Sequence, residues 1–231
     1  MIKKLLFDVG DTLVDRKSWI VSLKELLYER FAAPNNISKE DSDKTFKMIL
    51  DEIEKKSDLD PNIDKIGYVA ENVPVALGAK LSKEDTEKLR IELFQLRIKN
   101  TKILDNSDKI LQSLSKRFEL YITSDARSEN ARDYLSLFDK KLFKDIFISE
   151  EVNARKSENG AMFKVFLERT KANPNECLVI GDDIVSDGSA KQFGMKLCII
   201  DRKKAHLDFA CDANISSLSE LEGAINKINS K

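Results

Sequence analysis

Four short stretches of this 231-residue chain carry residue types that can do chemistry together. They are Asp8-Val9-Gly10-Asp11-Thr12, Ser124-Asp125, Arg155-Lys156, and Gly181-Asp182-Asp183 with Asp187 just beyond. Carboxylates that lie close together repel one another, and proteins tolerate them mainly around a hard cation, most naturally Mg²⁺. A lysine and a serine directed at the same point suit an anionic, oxygen-rich group such as phosphate. The residue types therefore indicate a magnesium-assisted reaction at a phosphate group.

The rare residues narrow the chemistry further. His206 is the only histidine, so a site built from several histidines is excluded. The three cysteines form no CxxC pair, and Cys177 and Cys198 lie in apolar runs that predict burial. No glycine belongs to a GxxxxGK or GxGxxG phosphate-binding loop. The chemistry is therefore left to carboxylates, hydroxyls and amines.

Charge and hydropathy set the class of partner. The 39 basic and 40 acidic residues leave a net charge of -1, which lacks the cationic excess of a nucleic-acid-binding protein. No apolar run approaches the roughly 18 residues that span a bilayer, and the N-terminus has no signal-peptide pattern. We expect a cytoplasmic protein, monomer or homodimer, that binds a small molecule but neither nucleic acid nor membrane.

Each of the four stretches lies beyond a short apolar run that predicts a strand. The predicted strands cover 2–7, 118–123, 145–149, 176–180 and 196–200. Helical periods separate most of them, which is typical of an α/β protein with a Rossmann-like, mostly parallel sheet covered on both faces. Ligands bind such sheets beyond the carboxyl ends of the strands, so the four stretches are expected to converge there.

Residues 16–102 differ from the rest, because they show helical periods and almost no strand signal. Ser18, Ser38 and Ser82 precede apolar residues at helical spacing, and Ser18 is predicted to cap the first helix. We therefore predict an all-helical cap domain over 16–102, inserted into a core formed by 1–15 and 103–231. Trp19 is expected to be a core aromatic of this domain or, alternatively, a substrate contact.

At the four stretches the sequence resembles the haloacid dehalogenase (HAD) superfamily of hydrolases. The superfamily's DxDxT motif after a strand is met by Asp8 to Thr12, and its strand ending in Ser or Thr by Ser124. Lys156 matches its third motif, and Asp182-Asp183 match the acidic pair of the fourth. All four occur in order, and the helical segment occupies the position of the superfamily's mobile cap.

The resemblance implies a phosphatase that acts on a small phosphorylated metabolite through an aspartyl-phosphate on Asp8. Mg²⁺ would be held by Asp8, the Gly10 carbonyl and Asp182, with Asp187 supporting the metal or orienting Lys156. Ser124 and Lys156 would hold the phosphoryl oxygens, with Thr123 as the competing candidate for the role of Ser124. The substrate-binding set is completed by Asp11 and Thr12. The cap would close over the substrate and select it.

Two residues depart from the pattern. Gly10 stands where the superfamily's phosphatases usually have a second Asp that acts as acid and base. We therefore expect Gly10→Asp to speed the hydrolysis of phosphate esters that have poor leaving groups. Asp11 stands where they usually have Gly, and it either shapes the turn with a left-handed backbone or serves as a substitute acid. A 2-haloacid dehalogenase and a binding module that has lost turnover are the alternative functions.

Overall fold

A computed structural model describes residues 1–59, 63–202 and 210–230, so His206 lies outside the described residues. The chain divides into two compact units, Met1–Arg16 with Lys102–Lys231, and Lys17–Thr101. These boundaries lie within one residue of those predicted from the sequence.

The first unit is built on a six-stranded sheet in which every pairing is parallel. The strands of the described residues are β1 (Lys4–Phe7), β2 (Val14–Asp15), β3 (Lys102–Ile103), β4 (Glu119–Ser124), β5 (Phe143–Ile148), β6 (Cys177–Gly181), β7 (Lys196–Ile200) and β8 (Ala213–Ile215). The sheet order is β5-β4-β1-β6-β7-β8, which confirms the predicted α/β class. The strand β8 was not predicted, because its three residues give no pattern of their own.

The second unit is all-helical within the described residues. Its α-helices are α1 (Ile20–Leu27), α2 (Lys39–Leu59), α3 (Lys65–Ala76) and α4 (Lys83–Asn100), and Trp19 packs against their shared apolar cluster. Ser82 caps α4 by accepting from the amide of Asp85, as its position predicts. The predicted cap at Ser18 is wrong, because the Ser18 hydroxyl donates to the Asn100 carbonyl at 3.1 Å instead. No described helix is long and apolar enough to cross a membrane.

Helices cover both faces of the sheet. They are α5 (Ser107–Leu114), α6 (Ser128–Leu135), α7 (Ser149–Val152), α8 (Ala161–Thr170) and α9 (Leu221–Asn229). Leu5 and Phe7 of β1 join the buried cluster that includes α5 and α9, whereas Leu6 joins the cluster that includes α8. Because successive side chains of a strand point to opposite faces, burial on both sides explains why β1 is a continuous apolar run.

Two cysteines lie in neighbouring strands of the sheet, β6 and β7. Cys177 and Cys198 are fully buried, as their apolar neighbours predict. Burial raises the pKa of each thiol to about 12, because the thiolate would lose its hydration. Both therefore act as small apolar side chains of the core.

The two crossings between the units lie side by side. In the antiparallel pair of β2 and β3, Val14 is opposite Ile103 and Asp15 is opposite Lys102. The Leu104 amide also donates to the Leu13 carbonyl at 2.9 Å. The chain therefore leaves the sheet unit and returns to it at a single two-stranded ladder.

Replacing residues 17–101 by a short Gly-Ser linker is therefore expected to leave a folded sheet unit. All six sheet strands and both of their apolar clusters lie outside the replaced segment. Circular dichroism and a cooperative thermal transition would check this expectation. A truncated protein that unfolds without cooperativity would show that the sheet depends on the helical unit for its stability.

Candidate active site

The register of the sheet brings three of the four sequence stretches to one edge. Phe7 at the end of β1 lies opposite Ile122 of β4 and Ile180 of β6. Asp8, Ser124 and Asp182 follow at nearly the same level, and the Asp8 amide donates to the Ile180 carbonyl at 2.9 Å. The chain runs outward from β1 through β4 and β5 and then returns to β6 on its other side. This reversal of strand order is where open α/β sheets bind ligands.

A cavity of about 210 Å³ lies at this edge. Its lining includes Asp8, Gly10, Arg16, Ser124, Asp125, Lys156, Asp182, Asp183 and Asp187. The volume is below the roughly 300–1,000 Å³ of sites that enclose drug-sized ligands. The sheet unit by itself therefore offers a polar pocket for a small charged group.

Lys156 supplies the buried positive charge of this pocket. Its Nζ donates to Asp8 Oδ1 and to Asp187 Oδ1, both at 2.6 Å, and its side chain is only 2% exposed. Burial opposes the charge, but the carboxylates of Asp187 and Asp8 overcome this effect and raise the pKa of Lys156. Lys156 therefore remains an ammonium that orients the carboxylate of Asp8.

Asp125 fixes the loop that carries this lysine. Its two carboxylate oxygens accept from the backbone amides of Lys156 at 2.8 Å and Ser157 at 3.0 Å. The Lys156 carbonyl accepts from the Ser189 hydroxyl at 3.0 Å. Sequence reasoning gave Asp125 no role, although its position directly after Ser124 at a strand end was a signal.

The fourth stretch folds into a tight turn that buries Asp187. A Cβ atom on Gly181 would lie 1.9 Å from Asp187 Oδ2, so only glycine fits there. Asp187 Oδ2 accepts from the Asp183 amide at 3.1 Å, and Asp183 Oδ1 accepts from the amides of Val185 and Ser186. Asp183 therefore shapes the turn, and Asp187 is held behind Lys156.

Asp182 carries a perturbed carboxyl group. Burial raises the pKa of Asp182 to about 6, and the charge of Asp8 adds to the rise. The Thr12 hydroxyl lies 3.4 Å from Asp182 Oδ1 and donates to it. The Asp182 carboxylate is therefore destabilised by its neighbours, and a cation bound beside it would relieve the repulsion.

The residues at this edge fit a magnesium ion. Within the described ranges no three His, Cys, Asp or Glu side chains form a metal-binding group. Mg²⁺, however, usually keeps several waters and takes only one or two protein carboxylates. Asp8 and Asp182 supply two such carboxylates, and the Gly10 carbonyl lies on the same loop.

The geometry does not support two of the predicted roles, and it favours one member of the competing pair on β4. Asp187 is predicted either to support the metal or to orient Lys156; both of its oxygens accept hydrogen bonds, and this geometry suits the second role rather than that of a metal ligand. Thr12 was predicted to bind substrate, but it is fully buried and holds Asp182. Of the competing pair on β4, Ser124 lines the cavity, whereas Thr123 is fully buried.

Asp11 has a left-handed backbone with φ 57° and is engaged by Arg16. Its Oδ2 accepts from Arg16 Nε at 2.9 Å and Nη2 at 2.8 Å, and its Oδ1 accepts from the Arg16 amide at 3.0 Å. The two interpretations from sequence were a turn-shaping residue and a substitute acid. The geometry favours the first, because the carboxylate is committed to an arginine.

Arg202 holds the same loop from the far side. Its guanidinium donates to the Asp11 carbonyl, to the Thr12 carbonyl at 3.1 Å, and to Asp105 Oδ2 at 2.7 Å. Sequence reasoning missed Arg16, Arg202 and Asp105, because single charged residues in a chain with 39 basic and 40 acidic ones give no pattern.

The fold is a Rossmann-like α/β sheet whose polar residues gather at the carboxyl ends of its strands. The family model of haloacid dehalogenase-like hydrolases matches residues 5–200, and the chain belongs to this family. YfnB of Bacillus subtilis (strain 168), named as a HAD-hydrolase, is 26% identical over 211 residues, which cover 85% of this chain and 83% of YfnB.

Solved structures share the fold. YfnB of Bacillus subtilis bound to magnesium gives a TM-score of 0.73 at 22% identity, covering 97% of this chain and 99% of that one. The 2-haloacid dehalogenase from Pseudomonas syringae pv. Tomato DC3000 gives 0.66 at 23%, covering 98% and 99%. The HAD phosphatase from Thermococcus onnurineus gives 0.65 at 21%, also covering 98% and 99%. Phosphatase and dehalogenase names thus occur on one architecture, and the fold alone does not separate them.

Asp182→Asn is expected to stabilise the metal-free protein, and more so at alkaline than at acidic pH. In the folded protein the pKa of Asp182 is raised to about 6, above its pKa in the unfolded chain. The protonated carboxyl therefore favours the folded state at low pH, and this contribution to the free energy of unfolding is lost as pH rises from the unfolded pKa through 6. The neutral amide avoids this loss. Unfolding by urea in EDTA at about pH 5 and pH 8 should show a gain that is larger at pH 8 by on the order of 1–2 kcal/mol.

Asp145→Asn is the matched control, because Asp145 is exposed on β5 and, within the described ranges, its side chain accepts only from the Ile146 amide. It should leave the free energy of unfolding unchanged at both pH values. An Asp182→Asn gain that is equal at both pH values would contradict the raised pKa as its cause.

Proposed function

We propose that this hydrolase is a Mg²⁺-dependent phosphatase that forms an aspartyl-phosphate on Asp8 and acts on a small phosphorylated metabolite. The observation that carries the proposal is the contact of Lys156 Nζ with Asp8 at 2.6 Å, beside Asp182 with its raised pKa. This pocket combines a fixed cation with carboxylates that repel one another. Such a set suits a divalent cation and a phosphoryl group together.

Each residue of the pocket has a separate role in the proposed reaction. Lys156 aligns the Asp8 carboxylate, whose second oxygen attacks phosphorus while the bond to the leaving oxygen breaks and its electron pair stays on that oxygen. Ser124 and Lys156 hold the transferring oxygens. Water then attacks the phosphorus, the bond to Asp8 breaks, and the water protons remain on the released phosphate. Mg²⁺ held by Asp8, the Gly10 carbonyl and Asp182 would neutralise part of the phosphoryl charge.

A 2-haloacid dehalogenase is the second candidate, and one observation favours it. No acid side chain stands at Gly10, and a halide leaves without needing a proton. Against this candidate stands the cluster of Asp8 and Asp182, because displacement of halide from carbon creates no need for a divalent cation.

We expect hydrolysis of p-nitrophenyl phosphate to require Mg²⁺ and to stop in EDTA. Asp8→Asn should lower kcat at least about 10³-fold, because the amide keeps the shape but is a far poorer nucleophile. Thermal denaturation should show a folded variant, and Asp145→Asn should keep full activity. The assay measures phosphate release with and without Mg²⁺, beside halide release from 2-chloropropionate.

The outcomes separate the candidates. Phosphate release that is as fast in EDTA as in Mg²⁺ would overturn the proposed metal site. Halide release without phosphate release would favour the dehalogenase. Binding of phosphate with neither activity would point to a binding module.

A further inference from the structure

The space beside Gly10 is filled by the side chain of Arg16. A Cβ atom built on Gly10 would lie 2.3 Å from Arg16 Cδ, 2.8 Å from Cγ and 2.9 Å from Nε. A side chain at position 10 and the observed position of Arg16 therefore exclude each other. The expectation that Gly10→Asp adds an acid to an otherwise unchanged site is revised accordingly, because the substitution would also displace a cation.

Arg16 is held in this position by Asp11. Nε and Nη2 both donate to Asp11 Oδ2, whereas Nη1 donates to no residue in the described ranges. Burial opposes its charge, but the hydrogen bonds and charge of Asp11, with the charges of Asp8 and Asp182, raise the pKa of Arg16. Arg16 is therefore a permanent cation that does not serve as a proton donor at neutral pH.

The two cations of the pocket lie at different depths. The side chain of Asp8 is 13% exposed and that of Lys156 is 2% exposed, so both belong to the floor. The side chain of Arg16 is 55% exposed and belongs to the mouth of the same cavity. In an in-line displacement the leaving group points away from the attacking oxygen. With Asp8 at the floor, the leaving group points toward the mouth.

We propose that Arg16 is the leaving-group residue of this site and stabilises the negative charge that develops on the departing oxygen. The inference rests on the proposed phosphatase function and deepens it. An arginine lowers the energy of an oxyanion without protonating it, so the oxygen must be able to leave as an anion. The substrate class that this chemistry fits is phosphate bound to an acidic leaving group, as in aryl, enol and acyl phosphates, rather than alkyl esters.

The test compares wild type, Arg16→Gln and Arg16→Lys on a series of ring-substituted phenyl phosphates with Mg²⁺. Phenolate holds its charge more tightly than 4-nitrophenolate and needs more stabilisation. Arg16→Gln should therefore lower kcat/KM about 10²-fold on phenyl phosphate and less than about 10-fold on 4-nitrophenyl phosphate. Arg16→Lys should fall between wild type and Arg16→Gln. Arg117→Gln is the control, because Arg117 is similarly exposed at 50% and pairs with Glu222.

A second measurement separates the leaving group from the phosphoryl group. Titration calorimetry of inorganic phosphite into Mg²⁺-loaded protein should give the same Kd within about 2-fold for wild type and Arg16→Gln, because phosphite keeps three oxygens on phosphorus and has hydrogen in place of the fourth, which would lie at the leaving-group position. Thermal denaturation should show that Arg16→Gln and Arg16→Lys are both folded. If Arg16→Gln is unfolded, Arg16→Lys replaces it in both measurements.

Equal losses on all esters, or phosphite binding weakened about 10-fold in Arg16→Gln, would overturn the leaving-group role while the phosphatase proposal stands. A wild type that hydrolyses none of the esters would overturn the phosphatase proposal, and the leaving-group role with it.

Discussion

The ammonium of Lys156 keeps its charge where only 2% of the side chain is exposed, because the carboxylates of Asp8 and Asp187 face it at 2.6 Å. Removing one partner of such a buried pair typically costs about 3–5 kcal/mol, since the remaining charge is left uncompensated. Neighbouring residues hold the partners of this contact in place. Asp125 holds the backbone of Lys156, and the absence of a side chain at Gly181 admits Asp187. The nucleophile proposed here is thus oriented by the same contact that organises the fold around it.

The sequence was sufficient to predict the parts of the fold that repeat a pattern. Five apolar runs gave five of the six strands of the sheet, and the residues after them identified the edge at which Asp8, Ser124 and Asp182 meet. The strands β2 and β3 were missed, because two residues are too few to show a period. The side chains with revised roles act across long separations in sequence, as in the donation from Thr12 to Asp182. Spacing along the chain contains no signal for such contacts.

The contact with Arg16 changes the interpretation of Gly10. From sequence, the glycine is the loss of an acid, and the natural inference is a weakened enzyme. In the structure, the glycine is the condition under which a cation can occupy that space, with Asp11 as its anchor. Residues 10, 11 and 16 then form one unit, because changing any of them moves the guanidinium. The two departures from the superfamily's pattern have a single physical explanation.

The sheet order also governs when the chain can fold as it is synthesised. β1 lies at the centre of the sheet, but the strands on both sides of it come much later in the sequence. Lys4 pairs with Glu119 on one side and with Cys177 on the other. At about 5–20 residues per second, a delay on the order of 10 s separates the appearance of β1 from that of its first neighbour. The helical residues 17–101 have an apolar cluster of their own, and all of it has been synthesised before Glu119 appears. During that interval Leu5, Leu6 and Phe7 have no sheet to cover them, so the strand that leads to Asp8 is an uncovered apolar segment of the kind that promotes aggregation of a nascent chain.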